Sequence, residues 1–270
     1  MFLCPICKKE LQICDKALKC ESNHSFDYAK SGYINLLNPG KKNNAKAGDS
    51  KEMVRARTQF FECGAYLKIL ETLSSLVSEM KNDVIVDAGS GEGYYTHGIA
   101  KNHTGSLVLG FDMTKFGCEH GAKVAKSQGL NSLHYAVSNI FDLPLKEGYA
   151  DVILSVFAPV ADKEFSRVLK TGGHLIVASA GIDHLDGLKR AIYESFYPNE
   201  EKFPAYDGFE LLKVENLKYE AKICGSETIN SLFTMTPYYH RTSLEDKEKL
   251  SMLNEITTTI EVNFAVYKKI

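Results

Sequence analysis

The chain has 270 residues, 44% of them apolar, which is enough to bury a sizeable core and points to one medium domain with a small appendage. No run of about eighteen or more uncharged apolar residues occurs, which excludes a membrane-spanning helix; the start, MFLCPICKKEL, lacks the parts of a secretory signal, so a soluble cytoplasmic protein is expected. Seven cysteines, an odd number with four of them in the first twenty residues, do not read as a secreted disulfide framework, and metal binding is the better reading.

The formal charge of −2 hides an asymmetry. Residues 1–60 hold 11 Lys and Arg against 6 Asp and Glu, and the remainder 21 against 28, so only the N-terminal part has the sign a polyanion prefers.

In chain order, residues 1–37 are expected to form a small loop-rich unit. Its spacing, Cys4-x2-Cys7-x12-Cys20-x3-His24, lets two knuckles each offer two ligands to one tetrahedral zinc. Three thiolates and an imidazole leave the ion no open position, so the zinc is expected to be structural, and chelation to unfold the finger without directly removing any chemistry. Cys14 falls between the pairs and leaves the ligand set ambiguous. The segment from Asn38 to Ser50, rich in Gly, Asn and Lys, reads as a basic linker running into a helical segment, 38–58 in all. Lys41, Lys42, Lys46, Lys51, Arg55 and Arg57 are either solvated charge or phosphate contacts, and their nearness to the finger favours phosphate. Tyr28 and Tyr33 are either the core of the unit or stacking platforms for unpaired bases.

From Ser50 apolar residues recur at spacings of three and four through Val77, which predicts two helices ahead of the main sheet. Strand-length apolar runs then alternate with helix-length segments at Val84–Val86, Leu107–Phe111, Leu133–Val137, Val152–Val156 and Leu175–Ala178, the pattern of βαβ units and a parallel sheet within residues 59–270. Lys218–Ile223 reads as helix-like, and the run Ile256–Tyr267 as an antiparallel closing strand.

The first strand runs into Asp87-Ala-Gly89-Ser-Gly91-Glu92-Gly93, a turn that lets backbone approach a ligand closely, and Asp112 ends the next strand 21 residues after Gly91, where a carboxylate can accept from ribose hydroxyls. Nucleotide binding follows. The D-x-G-x-G-x-G spacing differs from the dinucleotide fingerprint and disfavours NAD.

This turn, with Asp112, Ser138-Asn139-Ile-Phe-Asp142-Leu-Pro144 and Arg167-Val-Leu-Lys-Thr-Gly-Gly173, resembles the class I S-adenosylmethionine methyltransferases. That resemblance implies a Rossmann-like α/β sheet, mostly parallel with an antiparallel C-terminal strand, in which Gly89, Gly91 and Gly93 pass the methionine part of the cofactor, Asp112 holds the ribose and Asn139 meets the adenine. That last position is often Asp, but an amide oxygen can still accept a hydrogen bond.

Over nearly its whole length the chain is similar to the bacterial 23S ribosomal RNA guanine-N1 methyltransferases. The resembling segments include Cys4-Pro-Ile-Cys7, Cys20 to Leu37, Gly48-Asp-Ser-x-Glu-Met53, Gly91-Glu-Gly-Tyr-Tyr-Thr-His97, Ala158-Pro159 and Met235-Thr-Pro237. The resemblance implies Cys4, Cys7, Cys20 and His24 as zinc ligands and Tyr66, Gly91, Glu92 and His184 as cofactor contacts. It also implies 23S ribosomal RNA as partner, no membrane, and a guanine in a hairpin loop as target. N1 carries a proton that a general base must remove, with Glu92, Asp183 and His184 as candidates. A homodimer is left open. The competing readings are a methyltransferase of small molecules or quinones, and a non-catalytic zinc-dependent RNA-binding protein.

Overall fold

The computed structural model describes residues 2–40, 49–193 and 198–270. Lys41, Lys42, Lys46 and Gly48 of the expected linker lie outside the described residues. The N-terminal unit has three short antiparallel strands, β1 (Gln12–Cys14), β2 (Ala17–Lys19) and β3 (Ser25–Asp27), followed by β4 (Ile34–Asn35). Two helices follow, as the spacing predicts: α1 (Lys51–Phe61) and α2 (Leu67–Ser78). Ser50 caps the first, its hydroxyl accepting from the Met53 amide at 3.1 Å.

The alternating region gives β5 (Val84–Ala88), α3 (Tyr94–Asn102), β6 (Leu107–Asp112), α4 (Lys115–Ser127), β7 (Leu133–Val137), β8 (Ala150–Val156), α5 (Asp162–Val168) and β9 (Leu169–Ala180). After α6 (Asp186–Ile192) come β10 (Phe209–Cys224), α7 (Ser226–Thr234), a 3-10 turn (Pro237–His240), α8 (Leu244–Ser251) and β11 (Glu255–Lys269). The strands form one eight-stranded sheet in the order β10-β11-β9-β8-β5-β6-β7-β4. Strands β4, β7, β6, β5, β8 and β9 run parallel; β11 is antiparallel to both β9 and β10. The expected α/β class, mostly parallel with an antiparallel C-terminal strand, is thus what the chain adopts. Strand order reverses at β5, which pairs with β6 on one side and β8 on the other. The crevice at the carboxyl ends of β5 and β8 is therefore where an open α/β sheet takes a ligand.

One feature corrects the reading of the sequence and a second adds to it. Residues 218–223 are strand, inside the 16-residue β10, and not helix-like. Lys218, Glu220 and Lys222 are exposed while Ala221 and Ile223 are buried, a period of two that the helix-favouring residue types Lys, Glu and Ala disguise. Second, the N-terminal unit is built onto the large sheet: Ile34 and Asn35 pair with Ala136 and Val137, and the Leu36 amide donates to the Val137 carbonyl at 2.9 Å. Phe2, Leu11, Leu18, Ile34 and Leu36 share a core with Phe111, Ala136 and Leu145. Tyr33 is buried, so the core reading fits it better than the stacking one.

Beneath the β5–α3 turn, the buried Tyr135 ring fills space that three glycines leave open. A β-carbon on Gly110 or Gly121 would stand 2.6 or 2.7 Å from ring carbons of Tyr135, and one on Gly93 would collide with its hydroxyl. Gly121→Ala is therefore expected to cost about 1–3 kcal/mol, since a close-packed ring has nowhere to move. Thermal unfolding checks this against Gly105→Ala, where an added β-carbon meets nothing within 4 Å. Equal melting temperatures for the two variants would contradict the packing account.

Candidate functional site

The thiols of Cys4, Cys7 and Cys20 and the His24 imidazole converge, with their ligand atoms within 4.8 Å of one another. Cys4 Sγ and Cys20 Sγ lie 3.5 and 3.4 Å from His24 Nδ1, and Cys7 Sγ lies 3.6 Å from Cys20 Sγ. These separations are the edges of a tetrahedron whose centre is one zinc–ligand bond from each atom. Lys8 and Asn23 hold positive φ, 60° and 62°, turning the chain just after Cys7 and just before His24. The Lys9 amide leads the interactions that bring the Cys7 thiol down to about 6, toward the thiolate a metal requires. The donor set fits structural zinc. Exposed Cys14, on β1, is not part of it.

At the sheet crevice the expected nucleotide turn is present. Gly89 and Ser90 amides both donate to the Phe111 carbonyl, at 2.8 and 3.0 Å, and the Gly91 amide donates to Asp112 Oδ2 at 2.9 Å, so the turn and the β6 carboxylate form one body. Gly89 has φ +93°, and a β-carbon there would stand 2.6 Å from that of Ala158. Such a cradle admits backbone and little else. Asp112 Oδ1 accepts from the Thr114 amide and hydroxyl, and its carboxylate keeps lone pairs for a ribose. Asn139 Oδ1 already accepts the Phe141 amide at 3.0 Å and has capacity for one more bond. Its buried neighbour Ser138 has a hydroxyl without a partner among the described residues, and so has Asp87 at Oδ1. Unpaired buried polar atoms around a glycine cradle fit a polar nucleoside ligand. Asp87 sits under the turn, Oδ2 accepting from Thr96 Oγ1 at 2.6 Å; burial pushes its carboxyl up to about 7.

Glu92 is buried beside the turn, and burial pushes its carboxyl up. Its partner is Arg57, 3.2 Å away, which also pairs with Asp49 at 2.5 Å. Burial works against the Arg57 charge, but the two carboxylates more than offset it and keep it protonated. Arg57 is thus a clamp between the linker end and the nucleotide turn, and the phosphate contact the sequence suggested for it is corrected. Arg55 and Lys51 on the same helix remain exposed.

Tyr66 and His184, 118 residues apart in sequence, meet with Tyr66 Oη 3.0 Å from His184 Nε2. The Glu261 amide donates to His184 Nδ1 at 3.2 Å, so the ring proton resides on Nε2 and is donated to Tyr66. Burial lowers the His184 imidazole to about 4, keeping it neutral at pH 7. The phenolic proton of Tyr66 remains for a further acceptor. Beside His184, Asp183 has a part-exposed carboxylate with Oδ2 held by Lys218 Nζ at 2.6 Å. The ring of Phe157, at the end of β8, lies 6.3 Å from that of Tyr66 and 5.6 Å from that of His184. A cleft of about 550 Å³ lined by Phe61, Leu70, Tyr94, His97 and Lys101 touches Glu92 but none of Gly89, Asp112 and His184.

His97, on α3, donates from Nε2 to the Gly121 carbonyl at 2.9 Å, and burial lowers its imidazole from 6.5 to about 4. The folded state therefore binds this proton less well than the unfolded state. Its contribution to stability is complete above pH 6.5 and is lost as pH falls through 4, at about 1.4 kcal/mol per unit. Between pH 6.5 and 5 the wild type should lose roughly 2 kcal/mol more stability than His97→Gln. Urea unfolding at each pH measures the difference, and equal slopes would refute the assignment.

The four metal-ligating residues named from the sequence converge, Tyr66 meets His184, and Asp112 joins the glycine turn. The sequence did not single out Phe157 or the pairing of Arg57 with Asp49 and Glu92. Nothing local marks an exposed aromatic after a strand, and the partners of Arg57 are revealed only when α1 packs on the turn.

Comparison with known proteins matches residues 2–46 to the family described as "RlmA, N-terminal" and residues 79–253 to "Methyltransferase domain". The chain is 33% identical to the 23S rRNA (guanine(748)-N(1))-methyltransferase of Streptomyces fradiae over 70% of its own length, a match spanning 66% of that protein. It is 28% identical to a putative 23S rRNA (guanine-N(1)-)-methyltransferase of Bacillus subtilis over 100% of its length and 97% of the relative. A similarly named protein of Micromonospora griseorubida is 28% identical over 93% of the chain and 83% of the relative.

Proposed function

The chain belongs to the methyltransferase-domain family, whose description matches well over half of it, and from that premise we propose that it transfers a methyl group from S-adenosylmethionine to N1 of a guanine in a hairpin loop of 23S ribosomal RNA. The observation that carries the reading is structural. The zinc-ribbon unit is joined through β4 to β7, directly before Ser138 and Asn139, so the metal-bearing appendage and the glycine cradle are built on one sheet. A methyltransferase of small molecules or quinones has no use for that arrangement, and a non-catalytic RNA-binding protein has no use for the intact cradle. The relatives' names point the same way.

The cofactor supplies an electrophilic methyl on a sulfonium; the chain's own residues position and deprotonate. Gly89, Gly91 and Gly93 admit the methionine part, Asp112 the ribose, and Ser138 with Asn139 the adenine end. Asp87 and Glu92 keep the turn in shape from beneath, and Tyr66, oriented by His184, offers its phenolic proton to the ligand. Of the three candidate bases, His184 has Nδ1 tied to the Glu261 amide and Nε2 already protonated, and Glu92 is buried against Arg57. Asp183 is part-exposed with only Oδ2 held by Lys218, and to it we assign removal of the N1 proton. Positioning supplies much of the remaining acceleration. From that substrate we propose that the enzyme works in the cytoplasm. We also propose a homodimer, formed along the exposed edge strand β10; light scattering tests it, and a monomer at micromolar concentration rejects it.

The test is label transfer from S-adenosylmethionine to 23S ribosomal RNA isolated from cells lacking the gene, followed by digestion to nucleosides. Label in 1-methylguanosine supports the reading. Label elsewhere, or no label in an enzyme that binds the cofactor, overturns it.

A further inference from the structure

We infer that Phe157 is the platform on which the target guanine stacks during methyl transfer. The inference rests on the function proposed above. Phe157 has φ +52°, and it is the sole aromatic among the described residues with positive φ. A bulky side chain in that region carries backbone strain, which persists only where the surroundings over-determine it. Here they do. The Phe157 amide donates to the Ala178 carbonyl at 2.9 Å, and the buried Ser155 hydroxyl donates to the Ala158 carbonyl at 3.1 Å. On the other side Ala158 abuts Gly89.

The strain is not relieved by burial. Phe157 is 43% exposed at the mouth of the crevice, where an apolar ring is least welcome to water. Core packing explains neither the conformation nor the residue type. What the conformation does is hold the ring beside Tyr66 and His184, one residue before the Ala158 that abuts Gly89 of the cofactor cradle. A flat π face at that place suits a base lifted from its stack, because a flipped base is read through its Watson–Crick edge while its face rests on an aromatic ring. Stacking of this kind is worth about 1–3 kcal/mol per base, or roughly fivefold to 150-fold in transfer rate at limiting RNA.

The sequence contains no tryptophan, so Phe157→Trp makes a protein with one indole reporter at the mouth of the crevice. Unmodified 23S ribosomal RNA from cells lacking the gene, added with S-adenosylhomocysteine, should quench that fluorescence, and the fully methylated RNA should quench it less. Phe157→Ala should lower kcat/KM for the RNA at least about fivefold while cofactor affinity by calorimetry stays within about threefold, and Phe157→Tyr should restore transfer. Phe157→Asn, at ease in left-handed backbone, should match Phe157→Ala in activity and melt no lower than the wild type. The platform is rejected if Phe157→Ala transfers within threefold of the wild type, if Phe157→Tyr is as impaired as Phe157→Ala, or if cofactor affinity falls as far as the rate. Failure of the wild type itself to label the RNA rejects the proposed function instead.

Discussion

Replacing Cys20 by serine should abolish zinc binding, reduce methyl transfer to ribosomal RNA at least about a hundredfold and also weaken cofactor binding by several-fold. Loss of one thiolate from a closed four-ligand site removes folding free energy that the small N-terminal core cannot replace, because β1, β2 and β3 are each three residues long. From the sequence, chelation looked harmless to the chemistry. The structure changes that expectation. Ile34, Asn35 and Leu36 lie against Ala136 and Val137, and Lys8 of the first knuckle pairs with Asp142 at 2.7 Å, so unfolding the unit frees the edge of β7 and the loop that carries Asn139. Metal content, cofactor affinity and transfer rate are measured on the same preparation. Cys14→Ser, which touches an exposed thiol outside the ligand set, should keep all three. Retention of zinc in Cys20→Ser, or its loss in Cys14→Ser, contradicts the assignment.

The second large effect concerns Asp183. With saturating cofactor and RNA, Asp183→Asn should lower the single-turnover rate about a hundredfold, the lower range for a positioned general base. Asparagine keeps the size and the acceptor that faces Lys218, so folding and RNA affinity should change little. His184→Gln should act differently, raising the cofactor dissociation constant because Tyr66 loses the donor that orients it. A rate in Asp183→Asn within about threefold of the wild type, only about 0.7 kcal/mol of barrier, would remove Asp183 from the mechanism.

How much was legible in the sequence differs by the kind of signal. The metal set was legible because a tetrahedral ion imposes spacing on the chain, and Cys14 was ambiguous only because spacing does not report exposure. The parallel sheet was legible from apolar runs of strand length, since strands buried on both faces cannot hide polar residues. Residues 218–223 were misread because a two-sided edge strand rich in Lys and Glu resembles a solvated helix unless its alternation is weighed above its propensities. Arg57 looked like a phosphate contact because its neighbours Lys51 and Arg55 are exposed cations; its burial against Glu92 is a tertiary fact. Tyr66 and His184 were suggested by resemblance alone, since a hydrogen bond across 118 residues leaves no local trace. Phe157 left none either, because backbone strain is visible only in the folded chain.

In the proposed reaction a guanine N1 in 23S ribosomal RNA receives the methyl group. N1 methylation blocks Watson–Crick pairing, so reverse transcription should stop one nucleotide before the modified base. Primer extension on 23S ribosomal RNA from cells with and without the gene tests this most directly. One stop at a hairpin-loop guanine, present with the gene, absent without it and restored by the wild-type but not the Asp183→Asn protein, is the predicted result. Identical extension patterns in the two strains, from cells in which the protein is expressed, would contradict the account.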